Sequence, residues 1–266
     1  MNKNKVWIIF AVALSVCLLS IRSLVSAPAS EMECRPQITP NIQEEISRLS
    51  QRCTTLDLSN MGLEALPAGV GELRNLRRLF LSHNKLSTLP PELSQLQNLE
   101  VLLLDNNTFT EIPNVVPMLK SLNSVVADNN RISDLPSQFA NLGDLRLLDL
   151  HRNNLRRFPQ VIFGLLNLNY LYLEDNELVD VPSEIGRLSQ LKVLDLGDNR
   201  IGKIPPEIAN LQSLSSLTLA INKLTNLPPE MSKLVNLKTL MLTQNDISSV
   251  DRKVIESELT NTMVVF

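Results

Sequence analysis

A step of 23 residues runs through most of this chain and leaves few folds open to it. Leu56, Leu79, Leu102, Val125, Leu148, Leu171, Leu194, Leu217 and Leu240 stand at that spacing, each followed two residues later by another apolar residue. Asparagine keeps the same step from Asn84 to Asn245, and proline from Pro67 to Pro228. Four residue classes locked to one period cannot come from a single globular core. They call for a solenoid, one supersecondary unit stacked about nine times.

Alternation through Leu79-Phe80-Leu81 marks a short strand with its two leucines inward and Phe80 outward. Asn84 ends the strand at a turn, where its amide both donates and accepts and can satisfy backbone groups of stacked copies. Leu89-Pro90 starts the return path, because proline fixes φ and cannot continue a ladder. Leu93 and Leu96 lie three apart and fit one helical or 3₁₀ turn on the outer side. Strands stack ~4.8 Å apart while the turns need more room, so the stack curves with its sheet on the concave side.

The pattern LxxLxLxxNxLxxLPxEIxxLxx, repeated over about residues 53–250, resembles the leucine-rich repeat. Its 23-residue form is similar to the "LP" class of Ras-suppressor-type and plant Ras-group proteins and of some bacterial surface proteins. The resemblance implies an α/β solenoid, a horseshoe with a parallel concave sheet of about nine to ten short strands and 3₁₀ or helical turns outside. It implies a protein partner and does not name one.

The ends depart from the pattern. Met61 replaces asparagine in the first repeat, Cys53 takes its first leucine slot, and Asp251 replaces the last proline. The expected layout is 1–29 signal peptide, 30–52 cap, 53–250 nine repeats and 251–266 closing cap. Ile42, Ile46 and Leu49 at helical spacing predict a short amphipathic helix in the first cap, with Pro40 at its start. Met263 and Val265 continue the period beyond Leu240 and Leu242 and predict a closing strand. In residues 1–29, Lys3 and Lys5 precede an uncharged run from Val6 to Ile21, and Ala27-Pro28-Ala29 offers a small-x-small cleavage site before Ser30. The run is short for a membrane span, and the alternative is an anchor helix that is kept. Cleavage predicts a secreted or surface-exposed protein. Retention predicts a membrane-tethered or intracellular scaffold of the Ras-suppressor type, and only then a membrane contact. Cys34 and Cys53 would be the cysteines of the cleaved chain, either bridged in an oxidising compartment or two thiols.

Charge and motifs exclude most chemistry. The formal charge is −3, and about −6 without Lys3, Lys5 and Arg22, so the basic stripe that nucleic acid requires is missing. His83 and His151 lie three repeats apart, ~14 Å by strand spacing, and cannot share a metal. No phosphate loop, zinc-spaced cysteines or serine elbow occurs. The sequence therefore predicts no enzyme, no cofactor, no metal site and no small-molecule substrate, and reads the aspartates as a solvated face. What remains is the concave surface. Phe80, Leu103 and Val126 would stand side by side facing outward, and Tyr170 and Tyr172 flank one strand two repeats on. Asp149 joins the candidate binding residues, and the next column, Ser82, Asp105, Asp128, His151 and Glu174, gives an acidic margin that favours a partner with a basic surface. Asn106 heads the one glycosylation sequon, Asn106-Asn107-Thr108.

Overall fold

The computed structural model describes residues 32–36, 42–49 and 52–266. Eleven parallel strands form one open sheet in strict sequence order. They are β1 Glu33–Cys34, β2 Thr55–Asp57, β3 Arg78–Phe80, β4 Val101–Leu103, β5 Ser124–Val126, β6 Leu147–Asp149, β7 Tyr170–Tyr172, β8 Val193–Asp195, β9 Ser216–Thr218, β10 Thr239–Met241 and β11 Met263–Val265. The register shifts by one period at each step from β2 to β10, so Leu79 pairs Leu102, Leu102 pairs Val125, and so on. Each strand centres on the first leucine of the pair rather than on the residue after it. Its two outward side chains therefore precede and follow that leucine.

The period is physical as well as sequential. Pro67, Pro90, Pro136, Pro159, Pro182, Pro205 and Pro228 stand extended, with φ between −62 and −74, at the head of a five-residue 3₁₀ turn. A leucine ends each turn, as where the Leu96 N–H donates to Leu93 O. Val116–Met118 is a shorter turn entered from Val115. Between sheet and turns lies one continuous core, in which Leu79, Leu81, Leu86, Leu93 and Leu96 of a single repeat are fully buried.

The asparagine column is a ladder. Asn153 Nδ2 donates to Leu150 O at 3.1 Å and, one repeat back, to Ala127 O at 3.0 Å. Its Oδ1 accepts the Ile132 N–H at 2.8 Å. Asn107, Asn176, Asn199 and Asn222 repeat all three contacts. The residue before each ladder asparagine is left-handed, from His83 at φ 56 to Gln244 at φ 56; His83, Asn106, Asn129, Asp175 and Asp198 are types that tolerate this conformation, and Arg152, Ile221 and Gln244 are not.

Both ends carry more structure than the repeat pattern foretold. The sheet has eleven strands instead of nine or ten, because β1 pairs Cys34 with Leu56 beside β2. Cys34 and Cys53 are bridged, their Cα atoms 6.0 Å apart. A helix spans Ile42–Ser47 and buries Ile46 against the first repeat. At the other end Ser249–Glu258 forms a helix the sequence reading missed. Ser248 Oγ caps it by accepting the Asp251 N–H, and Ile255 and Leu259 close the core. Residues 1–29 lie outside the described residues. Among the described residues no helix is long and apolar enough to cross a membrane.

Candidate functional site

Strand geometry places every site residue named from the sequence on the sheet face opposite the core. Phe80, Leu103, Val126, Asp149 and Tyr172 occupy successive strands of one column and pair in that order. Tyr170 belongs to the parallel column before the core leucine, and His151 and Glu174 follow their strands by two residues.

The structure gathers a subset of them. Val126, Leu147 and Tyr172 form a buried cluster of their own, separate from the main core, with Leu103, Tyr170 and Val193 packed around it. Phe80, one strand further out, is half-buried and stands outside that cluster. Leu147 and Val193 escaped the sequence reading, which followed the column between the paired leucines. The preceding column carries the same period and would have found them.

Two expectations fail here. Alternation turns Tyr172 away from the core and towards solvent, yet only 3% of it is exposed. Asp149 was read as a rim charge on a solvated face, yet its exposure is 0%. The cause is lateral crowding. Strands ~4.8 Å apart bring long side chains shoulder to shoulder, and a short aspartate between Val126 and Tyr172 is roofed by its neighbours. Asp128, at 8%, is likewise buried.

Asp149 is held from its own strand end. Its Oδ1 accepts the His151 backbone N–H at 3.1 Å and faces His151 Nδ1 at 2.7 Å. His151 Nε2 lies 3.4 Å from Asp128 Oδ2. Asp128 Oδ2 also accepts from Asn129 Nδ2 at 2.9 Å, and the neighbouring Asp105 Oδ1 accepts the Ser82 hydroxyl at 2.5 Å. Asp149 Oδ2 is buried without a hydrogen-bond partner among the described residues. The sequence argument considered only His83 and His151 together, whereas the structure gathers His151 with carboxylates of adjacent strands.

Crowded carboxylates reshape the titration. Burial, then the Asp149 charge, pushes Asp128 up to about 7 against the pull of His151. Burial lowers His151, but the Asp149 hydrogen bond and the charges of Asp149, Asp128 and Glu174 outweigh it and raise the imidazole to about 9. Asp195, two strands on in β8, is raised to about 7 by burial and by Glu174, although the Gly197 N–H stabilises its anion. Burial also raises Glu174. The face thus holds an apolar cluster beside an acidic row with one imidazolium in it.

Comparison with known proteins follows the same lines. The leucine rich repeat family model matches residues 51–114 and 120–178, and a leucine-rich repeat region model matches 162–262. A leucine-rich repeat protein of Leptospira interrogans is similar at 29% identity and a TM-score of 0.53, over 84% of this chain and 74% of that one. An internalin from Listeria monocytogenes shares the fold at 24% identity and a TM-score of 0.72, over 83% and 62%. The ectodomain of a plant membrane receptor kinase from Arabidopsis thaliana, solved in complex with CASPARIAN STRIP INTEGRITY FACTOR 2, is 26% identical with a TM-score of 0.60, over 83% and 33%. The chain therefore spans under two thirds of the internalin and about a third of the receptor ectodomain. No curated protein matches it.

Proposed function

We propose that this chain, which belongs to the leucine-rich repeat family, is a non-enzymatic binding module that captures a protein partner on its inner sheet face. The apolar cluster around Tyr170 and Tyr172 carries the reading, because beyond its buried members Val126, Leu147 and Tyr172 it leaves Leu103, Tyr170 and Val193 half-buried side by side on a face turned away from the main core. The acidic row of Asp105, Asp128, Glu174 and Asp195 beside it suits a partner with a basic rim. We place the module outside the cell, with 1–29 removed as a signal peptide. The Cys34–Cys53 bridge supports that compartment, since disulfides persist where conditions oxidise. The ligand-bound receptor ectodomain, similar over most of this chain, supports both the setting and the kind of partner.

The test starts with protein from the native host, whose N-terminus should be Ser30; a retained Met1 ends the secreted reading. Capture of partners on the mature chain is then compared with a Tyr170→Ala, Leu103→Ala variant. Both residues are half-buried, so their loss spares the fold better than loss of Tyr172. The bound partner should weaken by about 2 kcal/mol, roughly 30-fold. A partner indifferent to these changes but lost on altering the outer-side Glu92, Gln95 or Arg187 would overturn the model.

A further inference from the structure

Given that this face captures a protein partner, as proposed above, we infer that the partner presents to it an amphipathic helix, apolar beneath, cationic along one edge and anionic along the other. The apolar cluster runs across the strands from Leu103 in β4 to Val193 in β8. Beyond the strand ends lie Asp105, Glu174 and Asp198, half-buried or exposed and outside any ion pair among the described residues. The cations of that margin are already engaged, His151 with Asp149 and Asp128 and Arg152 with Asp175 at 3.5 Å. At the opposite margin, where the strands begin, Arg146 and Lys192 are exposed one residue ahead of Leu147 and Val193. Among the described residues neither meets a carboxylate at ion-pair distance. Asn123 and Asn169 stand in the same column, and Glu100 at its head is taken up by Arg77. The strip is therefore acidic on one margin and basic on the other. A partner that is basic on both sides would set like charge against Arg146 and Lys192.

The width between the margins selects the shape. From Arg146 to His151 the chain advances five residues, ~16 Å at ~3.3 Å each. A helix, ~10–12 Å across with its side chains, turns one stripe down onto the cluster while its two edges reach the two margins. An extended segment sends its side chains in only two opposed directions, so it serves either the cluster or the margins, not both. Across the strands the cluster covers four steps of the sheet, ~19 Å at ~4.8 Å each, the length of about 13 helical residues. Unlike edges also fix which way the helix points, because turning it end for end exchanges them.

Three synthetic helices of that length, cross-linked to hold their fold and sharing one apolar stripe, test this on the full chain. One carries lysine on one edge and glutamate on the other, one lysine on both, one glutamate on both. Binding is read by fluorescence anisotropy in ~20 mM salt. The mixed helix should bind roughly fivefold tighter than either uniform one. Arg146→Ala with Lys192→Ala should remove its advantage over the lysine helix, and Glu174→Gln with Asp198→Asn its advantage over the glutamate helix. These four positions are exposed or half-buried, so the variants keep the fold. A lysine helix that binds as tightly as the mixed one overturns the proposal. So does an advantage that survives Arg146→Ala with Lys192→Ala, or a mixed helix that fails to bind at ~1 mM. Each of these outcomes leaves partner capture on the inner face standing. That reading falls, and this one with it, when Leu103→Ala with Tyr170→Ala leaves every helix bound as before.

Discussion

The asparagine ladder and the Asp128–Asp149–His151 junction both bury polar atoms, yet only one of them is complete. Asn153 engages four backbone groups over two repeats, and its counterparts repeat the pattern up and down the stack. Asp149 satisfies one oxygen and leaves the other alone. The ladder recurs with the fold, because every turn exposes the same carbonyls and N–H groups. The junction occurs once, where three side chains chosen independently of the turn meet. Polar burial that repeats and is fully paired serves the scaffold; polar burial that occurs once is left unfinished at Asp149 Oδ2.

Alanine at Asn153 should produce the largest loss. It strands Ala127 O, Leu150 O and the Ile132 N–H together, a cost of about 3 kcal/mol, read as a lower denaturant midpoint. Lys192→Ala, at an exposed position, should stay under about 0.5 kcal/mol. Equal midpoints would dissolve the contrast from the scaffold side.

Tyr172→Ala follows. Its ring walls the inner-face cluster, so truncation should cost about 2 kcal/mol, less than an aromatic enclosed on all sides because this cluster is one layer deep. A neutral result would return Tyr172 to the free surface on which the sequence had placed it.

The titration tests the junction and its acidic row. Asp128 and Asp195 bind protons more tightly when folded than their ordinary 3.8, so their ionisation destabilises the fold as pH rises from about 4 to about 7. His151, raised from 6.5 to about 9, contributes stability that is fully present below 6.5 and lost as pH climbs through 9. All three act in one direction, and the row makes the fold lose stability as pH rises through these windows. Asp195→Asn, which keeps an acceptor for the Gly197 N–H, should stabilise the protein at pH 8.5 and do little at pH 4. A gain that is the same at both would remove the charge from the account.

Gln244→Gly is the smallest effect. Gln244 is exposed and held at φ 56, where an L side chain is strained. Glycine there should add about 0.5 kcal/mol, showing that the turn imposes its conformation on whatever residue arrives. A loss instead would mean that the side chain contributes through contacts.

The period made the scaffold readable: strand positions, the ladder and the closing strand all follow from residues 23 apart in sequence and adjacent in space. The inner face was readable only in composition. Phe80, Leu103 and Tyr172 stand on it as their alternation implied, but which of them are roofed depends on the reach of side chains from neighbouring strands. Leu147 was overlooked because it precedes its core leucine, and Asp149 was misjudged because charge alone suggested solvent. The left-handed column left a partial trace, since Asn106, Asn129, Asp175 and Asp198 are types that tolerate that conformation, while Arg152, Ile221 and Gln244 are not. The helix Ser249–Glu258 begins where Asp251 displaces proline, a signal that was noticed as a departure but not as a start.

Near-identical units also pose a counting problem. A strand that pairs one repeat too far along meets almost the same leucines, asparagine and turn, and the middle of the stack has little to tell it that a unit has been skipped. Only features that occur once can keep the tally. The cross-link between Cys34 and Cys53 makes one such mark, joining β1 to the first repeat and to no other. The helix Ser249–Glu258, which faces Leu227 and Met231 across a small pocket, makes the second. Between them they act less as lids than as page numbers, and a chain lacking the covalent one would be expected to find its place in the stack more slowly, whatever its final stability.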